Sequence, residues 1–130
     1  MILVFGKTGQ VATELQRLGD VVALGRDQAD LSDPAACANA IRTHAPRVVI
    51  NAAAYTAVDK AEEDEVLATL INGDAPTAMA RACAQLGIPL IHISTDYVFA
   101  GTGDAPWGPN DPTAPQNAYG RSKLAGEIGI

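Results

Sequence analysis

Two residues near the end of the chain have the types and spacing of an acid–base pair. In Asn117-Ala118-Tyr119-Gly120-Arg121-Ser122-Lys123 the tyrosine and lysine stand four apart, so a helix stacks them on one face. A free tyrosine titrates at about 10. An ammonium beside it favours the phenolate and is expected to lower that value. Tyr119 could then give a proton to a carbonyl oxygen as hydride reaches the carbon, with Lys123 tuning the phenol and holding a nicotinamide ribose. Thr95, in Ile93-Ser94-Thr95-Asp96, is a hydroxyl at the end of an apolar run. It could orient and polarise the same carbonyl, or simply cap a strand end. Tyr-x-x-x-Lys alone is frequent by chance, and a solvated helix face explains it equally well. The pair gains meaning only if the chain can also hold a hydride source.

The first apolar run ends in Gly6-Lys7-Thr8-Gly9-Gln10-Val11-Ala12. Gly6 permits a tight turn, and Gly9 leaves the backbone open to a pyrophosphate. Ala12 is small enough for a helix to pack on the sheet. The helix N-terminus then presents free N–H groups to phosphate. No Gly-Lys-Ser/Thr follows the last glycine, so this is no Walker loop. Lys7 and Thr8 read as neighbours of the phosphates, with a solvated Lys7 as the alternative. The second run ends in Leu24-Gly25-Arg26. NAD-preferring sites usually place an acid there for the ribose 2′-hydroxyl. A glycine followed by a cation suggests a 2′-phosphate partner instead, hence NADPH in preference to NADH. The alternative for Arg26 is a surface arginine. Asp30 and Leu31 read as an edge of the adenine pocket, with a plain turn residue as the other reading of Asp30. Small residues in Asn51-Ala52-Ala53-Ala54-Tyr55-Thr56 let backbone lie close to a flat ligand.

These motifs require strands that end at one edge. Runs at 1–5, 20–24, 47–51 and 90–94 are apolar throughout, as in parallel strands covered on both faces. Helical patterns at 10–18, from 34 to about 43, over 64–86 and over 117–126 separate or follow them. Asp33 can cap the second helix with Pro34 at its first position. The third helix has an irregularity expected at 73–76. Residues 52–59 and the Gly/Pro-rich 95–116 read as loops. The pattern predicts an α/β fold, a Rossmann-like doubly wound parallel sheet, as one domain over 1–130. Ligands in such sheets sit beyond the carboxyl ends of the strands.

The 130 residues suffice for one core, and 48% hydrophobic with 18% charged content reads as globular. A net charge of −6 argues against a nucleic-acid partner. No run is long enough for a membrane span, and no signal peptide is read at the start. Cys37 and Cys83 have no metal spacing and read as reduced thiols of a cytoplasmic protein; no metal is expected. His92 lies inside a strand and reads as structural. His44 follows a helix, where it could favour the negative end.

Taken together, FGKTGQVATELQ, NAAAYTAVDKAE, STDYVF and TAPQNAYGRSKLAGE resemble the extended short-chain dehydrogenase/reductases, and within them most closely the dTDP-4-dehydrorhamnose reductases. The stretches span nearly the whole chain in order. The resemblance implies reduction of dTDP-4-dehydro-6-deoxy-L-mannose to dTDP-L-rhamnose with NADPH or NADH. It implies cofactor contacts at Gly9, Gln10, Val11, Asp30, Leu31, Ala54, Tyr55 and Thr56. By the same likeness Thr95 and Asp96 meet the dTDP-sugar, Tyr119 is the proton donor and Lys123 binds cofactor.

Departures are Ala12 for a glycine of the first turn, Gly25 for an acid seen in some relatives, and Pro109 where a glutamate is frequent. Members of the family continue past the Tyr–Lys helix into more sheet and a smaller substrate lobe. The 130-residue chain is therefore expected to turn over substrate poorly or not at all, and robust turnover by the purified chain would refute that. An apolar sheet edge could support self-association, including a homodimer. One rival within enzymes is a sugar-nucleotide dehydratase or epimerase. The dehydratases resembling this superfamily carry a glutamate base where this chain has Tyr97. A rival of another class is the cofactor-binding regulatory subunit of methionine adenosyltransferase, which co-purification with a synthetase would favour. A nucleotide-binding fragment without activity is the third.

Overall fold

The computed structural model describes residues 1–130. Four short strands, β1 (Ile2–Phe5), β2 (Val21–Leu24), β3 (Val48–Asn51) and β4 (Leu90–His92), form one parallel sheet in the order β2-β1-β3-β4. Helices α1 (Gln10–Leu18), α2 (Pro34–His44), α3 (Val58–Ala61), α4 (Glu65–Thr69), α5 (Ala75–Leu86) and α6 (Ala118–Gly129) connect the strands and cover them. This is the expected α/β, Rossmann-like architecture. The chain leaves β1 for β2 on one side, then crosses back over β1 to reach β3 on the other. Right-handed crossovers put α1 on one face and α2 and α5 together on the other, and α2 does pack against α5. The reversal opens a crevice beyond the carboxyl ends of β1 and β3, where such sheets bind ligands.

Local chemistry fixes the element ends. Asp33 caps α2 by accepting from the Ala36 N–H at 3.1 Å, with Pro34 in the first turn. Asn117 caps α6 by accepting from the Gly120 N–H at 2.7 Å. Leu3, Phe5, Ile41, Val49 and Met79 are fully buried between the sheet and the α2–α5 pair. Each such side chain contributes roughly 1.5–3 kcal/mol relative to exposure. Cys37 and Cys83 are free thiols in this same core. Burial, followed by the charges of Asp33 and Asp30, pushes Cys37 up to about 12, which keeps its thiol protonated and unreactive. No helix is long and apolar enough to cross a membrane.

Three elements differ from expectation. First, β4 is not covered on both faces: Ile91 is 52% exposed and Ile93, just beyond the strand, 42%. β4 is the outermost strand, while α1 packs beside β2 at the opposite end of the sheet. Ile50 and Ile91, paired in register, therefore lie on a face with little above it. Second, the expected irregularity lies earlier, as a π-helical turn over Leu70–Asp74 closed by Ala75 N–H donating to the Leu70 carbonyl. Pro76 has no N–H to give the Asn72 carbonyl, as α-helical spacing would require, so the helix widens just before it. Third, the loop expected over 52–59 is shorter, because α3 begins at Val58.

Candidate cofactor and catalytic site

A cleft of about 1160 Å³ lies across the carboxyl ends of the strands. Gly6, Gly9, Gln10 and Val11 line it from the β1 turn, and Arg26, Asp30 and Leu31 from the segment after β2. Ala54, Tyr55 and Thr56 line it from the β3 end, and Tyr119 and Lys123 from α6. Thr95 and Asp96 do not line it; they stand just outside, at the start of a 3-10 turn, Asp96–Val98. Gly6 has φ +107° and a Cβ there would come 3.2 Å from the Ala52 carbonyl oxygen, so the backbone itself demands glycine. Gly9 is different. A Cβ there meets nothing within 4 Å, so protein packing does not require its absence. The space left open is that of the cleft, and Gly9 caps α1 without any side-chain bond to its first N–H groups. Both features suit a phosphate. Ala12, in the first turn of α1, is fully buried.

Arg26 faces the same cleft as the glycine turn. Asp30 accepts from the Ser32 N–H and the Ser32 hydroxyl, each at 2.8 Å. Those bonds, with a smaller contribution from Arg26, hold its carboxyl below the usual range. Asp30 is thus a turn residue and a wall of the cleft at once.

The Tyr–Lys pair corrects one expectation. The Tyr119 phenol is raised above its ordinary value, not lowered. Burial is the main cause; the Thr95 hydroxyl beside it pulls the other way, and Tyr97 and Asp96 push it higher. Lys123 is not among the groups that shift it; Nζ donates to the Ile93 carbonyl at 2.6 Å, and the residue is only 3% exposed. Burial lowers Lys123 as well, with Glu127 opposing. The two side chains share one wall, as the i, i+4 spacing implies, but they do not form a phenol–ammonium couple here. Tyr97 packs edge-on against the Tyr119 ring, centroids 5.7 Å apart. Thr95 Oγ1 accepts from the Tyr97 N–H at 3.2 Å, which holds the hydroxyl beside the phenol.

Sequence reasoning missed Asn72, which is 1% exposed within the π turn. Its Oδ1 accepts from the Tyr55 N–H at 2.8 Å, and its Nδ2 donates to the Tyr55 carbonyl at 2.9 Å and to Ser122 Oγ at 3.0 Å. Ser122 Oγ donates in turn to the Tyr119 carbonyl at 2.7 Å. One amide therefore ties the β3 wall of the cleft to the helix that carries Tyr119. A Cβ at Gly126 would overlap the Asn72 carbonyl, so α6 can lie this close only with glycine there. Little in the sequence signals it, since Asn72 is followed by Gly73 and Asp74 in a mixed run. Also missed was Ser94, which lines the cleft with a buried hydroxyl that has no protein partner. His92 holds the place expected of it. Its Nδ1 accepts from the Asn51 amide at 3.1 Å, which leaves the proton on Nε2. Burial, and then the Lys123 charge, push it down to about 4, so it is neutral at neutral pH. His44 Nδ1 sits 2.9 Å from the Ala40 carbonyl, inside the last turn of α2.

A parallel sheet with its crevice at the chain reversal, opened by a glycine turn, defines the dinucleotide-binding class of α/β proteins. Residues 1–130 match the family model described as RmlD substrate binding domain, and the chain belongs to that family. It is 49% identical over 97% of its length to the dTDP-4-dehydrorhamnose reductase of Salmonella typhimurium, and 50% identical over 99% to that of Burkholderia thailandensis. The chain spans 45% of the length of either relative. Among solved structures, a dTDP-4-dehydrorhamnose reductase from Clostridium acetobutylicum superposes with a TM-score of 0.93 at 39% identity. That match covers 99% of this chain and 48% of the other. The Bacillus anthracis reductase, solved in complex with NADP, superposes with a TM-score of 0.90 at 34% identity, covering 99% and 48%.

Proposed function

We propose that residues 1–130 form the cofactor-binding domain and carry the proton-donating helix of a dTDP-4-dehydrorhamnose reductase. Such an enzyme reduces the 4-keto group of dTDP-4-dehydro-6-deoxy-L-mannose to give dTDP-L-rhamnose. The observation that carries the reading is one cleft with the glycine turn at one end and Tyr119 and Lys123 at the other. A bound NADPH supplies hydride; this chain's residues bind it and manage the proton. The residues fit such a group. The turn at Gly6–Val11 offers open backbone to a pyrophosphate, and the small residues Ala52–Ala54 leave room for a flat ring. Gln10, Val11, Asp30, Leu31, Ala54, Tyr55 and Thr56 form the walls, and Lys123 lies where a ribose can meet its ammonium. Tyr119 holds the proton for the substrate oxygen. Thr95, beside the phenol, orients that oxygen, and Asp96 next to it meets the sugar. A dehydratase is disfavoured because Tyr97, at the position of that enzyme's base, packs its ring against Tyr119 instead.

The first test is a titration of the purified chain with NADPH and NADH by cofactor fluorescence. Saturable binding, tighter for NADPH, supports the reading; no binding of either by a chain shown folded by circular dichroism overturns it. In this reading Arg26 pairs with the 2′-phosphate. A charge-assisted bond of that kind is worth about 1.5–3 kcal/mol. Arg26→Ala is expected to weaken NADPH roughly 10-fold or more and to leave NADH nearly unchanged. Equal NADPH affinity in variant and parent would remove Arg26 from the cofactor site.

A further inference from the structure

The stretch 51–62 gives its first six residues to the β3 end of the cleft, but Val58-Asp59-Lys60-Ala61-Glu62 does not line it. The structure shows what it does touch. Glu62 Oε1 accepts from the Ala118 N–H at 2.8 Å, across 56 positions of sequence. That N–H belongs to the first turn of α6, one residue before Tyr119. A helix leaves its first N–H groups without intrahelical partners. In α6, Asn117 takes the Gly120 N–H and Glu62 takes the Ala118 N–H. Ala118 is fully buried, packed with Ala61 and Ala68 in a small cluster against which Tyr55 and Tyr119 rest. One turn along, Glu65 grips Arg121 with both carboxylate oxygens, at 2.7 and 3.2 Å.

We infer that Glu62 is a positioning residue, a clamp from the α3–α4 segment that fixes the first turn of α6 and so sets Tyr119 against Tyr97 and Thr95 at the mouth of the cleft. The inference rests on the reading of Tyr119 as proton donor. Its basis is the reach of one carboxylate oxygen to one buried N–H, not the negative charge as such. Charge at a helix N-terminus is favourable anywhere in the first turn, whereas a bond to Ala118 requires the full length of the glutamate side chain. That difference separates the clamp from a general electrostatic effect.

The test compares Glu62→Ala, Glu62→Gln and Glu62→Asp in the chain as it stands. Glutamine keeps the reach and loses the charge; aspartate keeps the charge and loses the reach. Each is followed by amide exchange at Ala118 and Tyr119 and by NMR titration of the Tyr119 ring carbon. In the alanine and aspartate variants, exchange at Ala118 is expected to rise about tenfold. Tyr119, its burial relaxed, is expected to titrate at lower pH than in the parent, with its contact to Tyr97 weakened. Glutamine is expected to match the parent in each measurement. Parent-like Tyr119 behaviour in the aspartate variant, or loss in glutamine but not aspartate, overturns the clamp. If the alanine variant does not fold, the aspartate and glutamine pair decides alone. Parallel NADPH titration keeps the two readings apart. A parent that binds no cofactor sinks the proposed function and leaves the clamp to be judged on Tyr119, whereas a parent that binds while Tyr119 ignores Glu62 sinks only the clamp.

Discussion

Asn72→Ala is expected to lower the stability of the chain by about 3 kcal/mol and to weaken cofactor binding with it. The amide makes three hydrogen bonds at 2.8–3.0 Å, and the residue is 1% exposed. Removing it takes a partner from the part-buried Tyr55 N–H and carbonyl and from the fully buried Ser122 hydroxyl, and each group left unsatisfied away from water costs about 1–3 kcal/mol. The lost packing adds less, since asparagine is small. Replacement by aspartate gives a second reading of the same site. An ionised carboxylate can accept from the Tyr55 N–H but sets an oxygen against the Tyr55 carbonyl. A protonated one has both acceptor and donor, as asparagine does. Burial raises a carboxyl pKa, so the aspartate variant is expected to regain stability as pH falls through that raised value, which a loss of volume alone cannot imitate. Urea unfolding at several pH values, with NADP titration alongside, measures both. A loss below about 1 kcal/mol for alanine would mean that water replaces the amide and that Asn72 does not bind the two walls together.

The Asn72 clasp was hidden in the sequence for a physical reason, and the same reason separates what was legible from what was not. Strand ends, caps and the glycine turn are local: Asp33-Pro34 and Gly6-x-x-Gly9 state their conformations within a few residues and are found as read, while Asn117, read as the first helical residue, is the cap just before the helix. The cleft follows from those turns plus the order of the strands, so it was legible too. Side-chain partnerships across 17, 50 or 56 positions are not stated by any spacing. Asn72 sits in a run whose polarity looks incidental, and Glu62 and Glu65 look like a solvated acidic face. The widened turn at Leu70–Asp74 was half visible, since Pro76 announces a disturbance but not where the helix absorbs it. The pKa of Tyr119 failed for a related cause. Sequence places an ammonium one helical turn from the phenol, and only the fold reveals how far the phenol itself is buried, which raises its pKa. Strand burial at β4 failed because alternation and continuity of apolar residues describe what a strand can pack against, not what the chain provides above it.

Tyr119→Phe is expected to cost about 10²–10⁴-fold in turnover of a chain extended to the length of its reductase relatives. The NADPH dissociation constant should stay within about twofold of the parent's. Phenylalanine keeps the ring that packs edge-on with Tyr97, so the cleft wall survives and only the proton donor is lost. The pH dependence follows from the state the donor must be in. In the proposed reaction Tyr119 gives a proton, so it must be protonated at the start of each turnover. Its pKa is raised by burial, with Tyr97 and Asp96 reinforcing and Thr95 opposing. Turnover is therefore expected to hold through neutral and mildly alkaline pH and to fall only as pH rises through that raised value. Lys123, lowered by burial, loses its charge earlier than an ordinary lysine. The parent's alkaline limb should thus show two descents, the first in cofactor affinity as Lys123 deprotonates and the second in maximal rate as Tyr119 does, whichever pH each falls at. Thr95→Val is the control that tells them apart. It removes the one hydroxyl that stabilises the phenolate, so the second descent should move to higher pH while the first stays in place. A Tyr119→Phe enzyme that keeps the parent's rate, or a Thr95→Val profile with neither limb displaced, would show that the proton comes from another group, and the buried, unpartnered hydroxyl of Ser94 in the same cleft would be the next residue to replace.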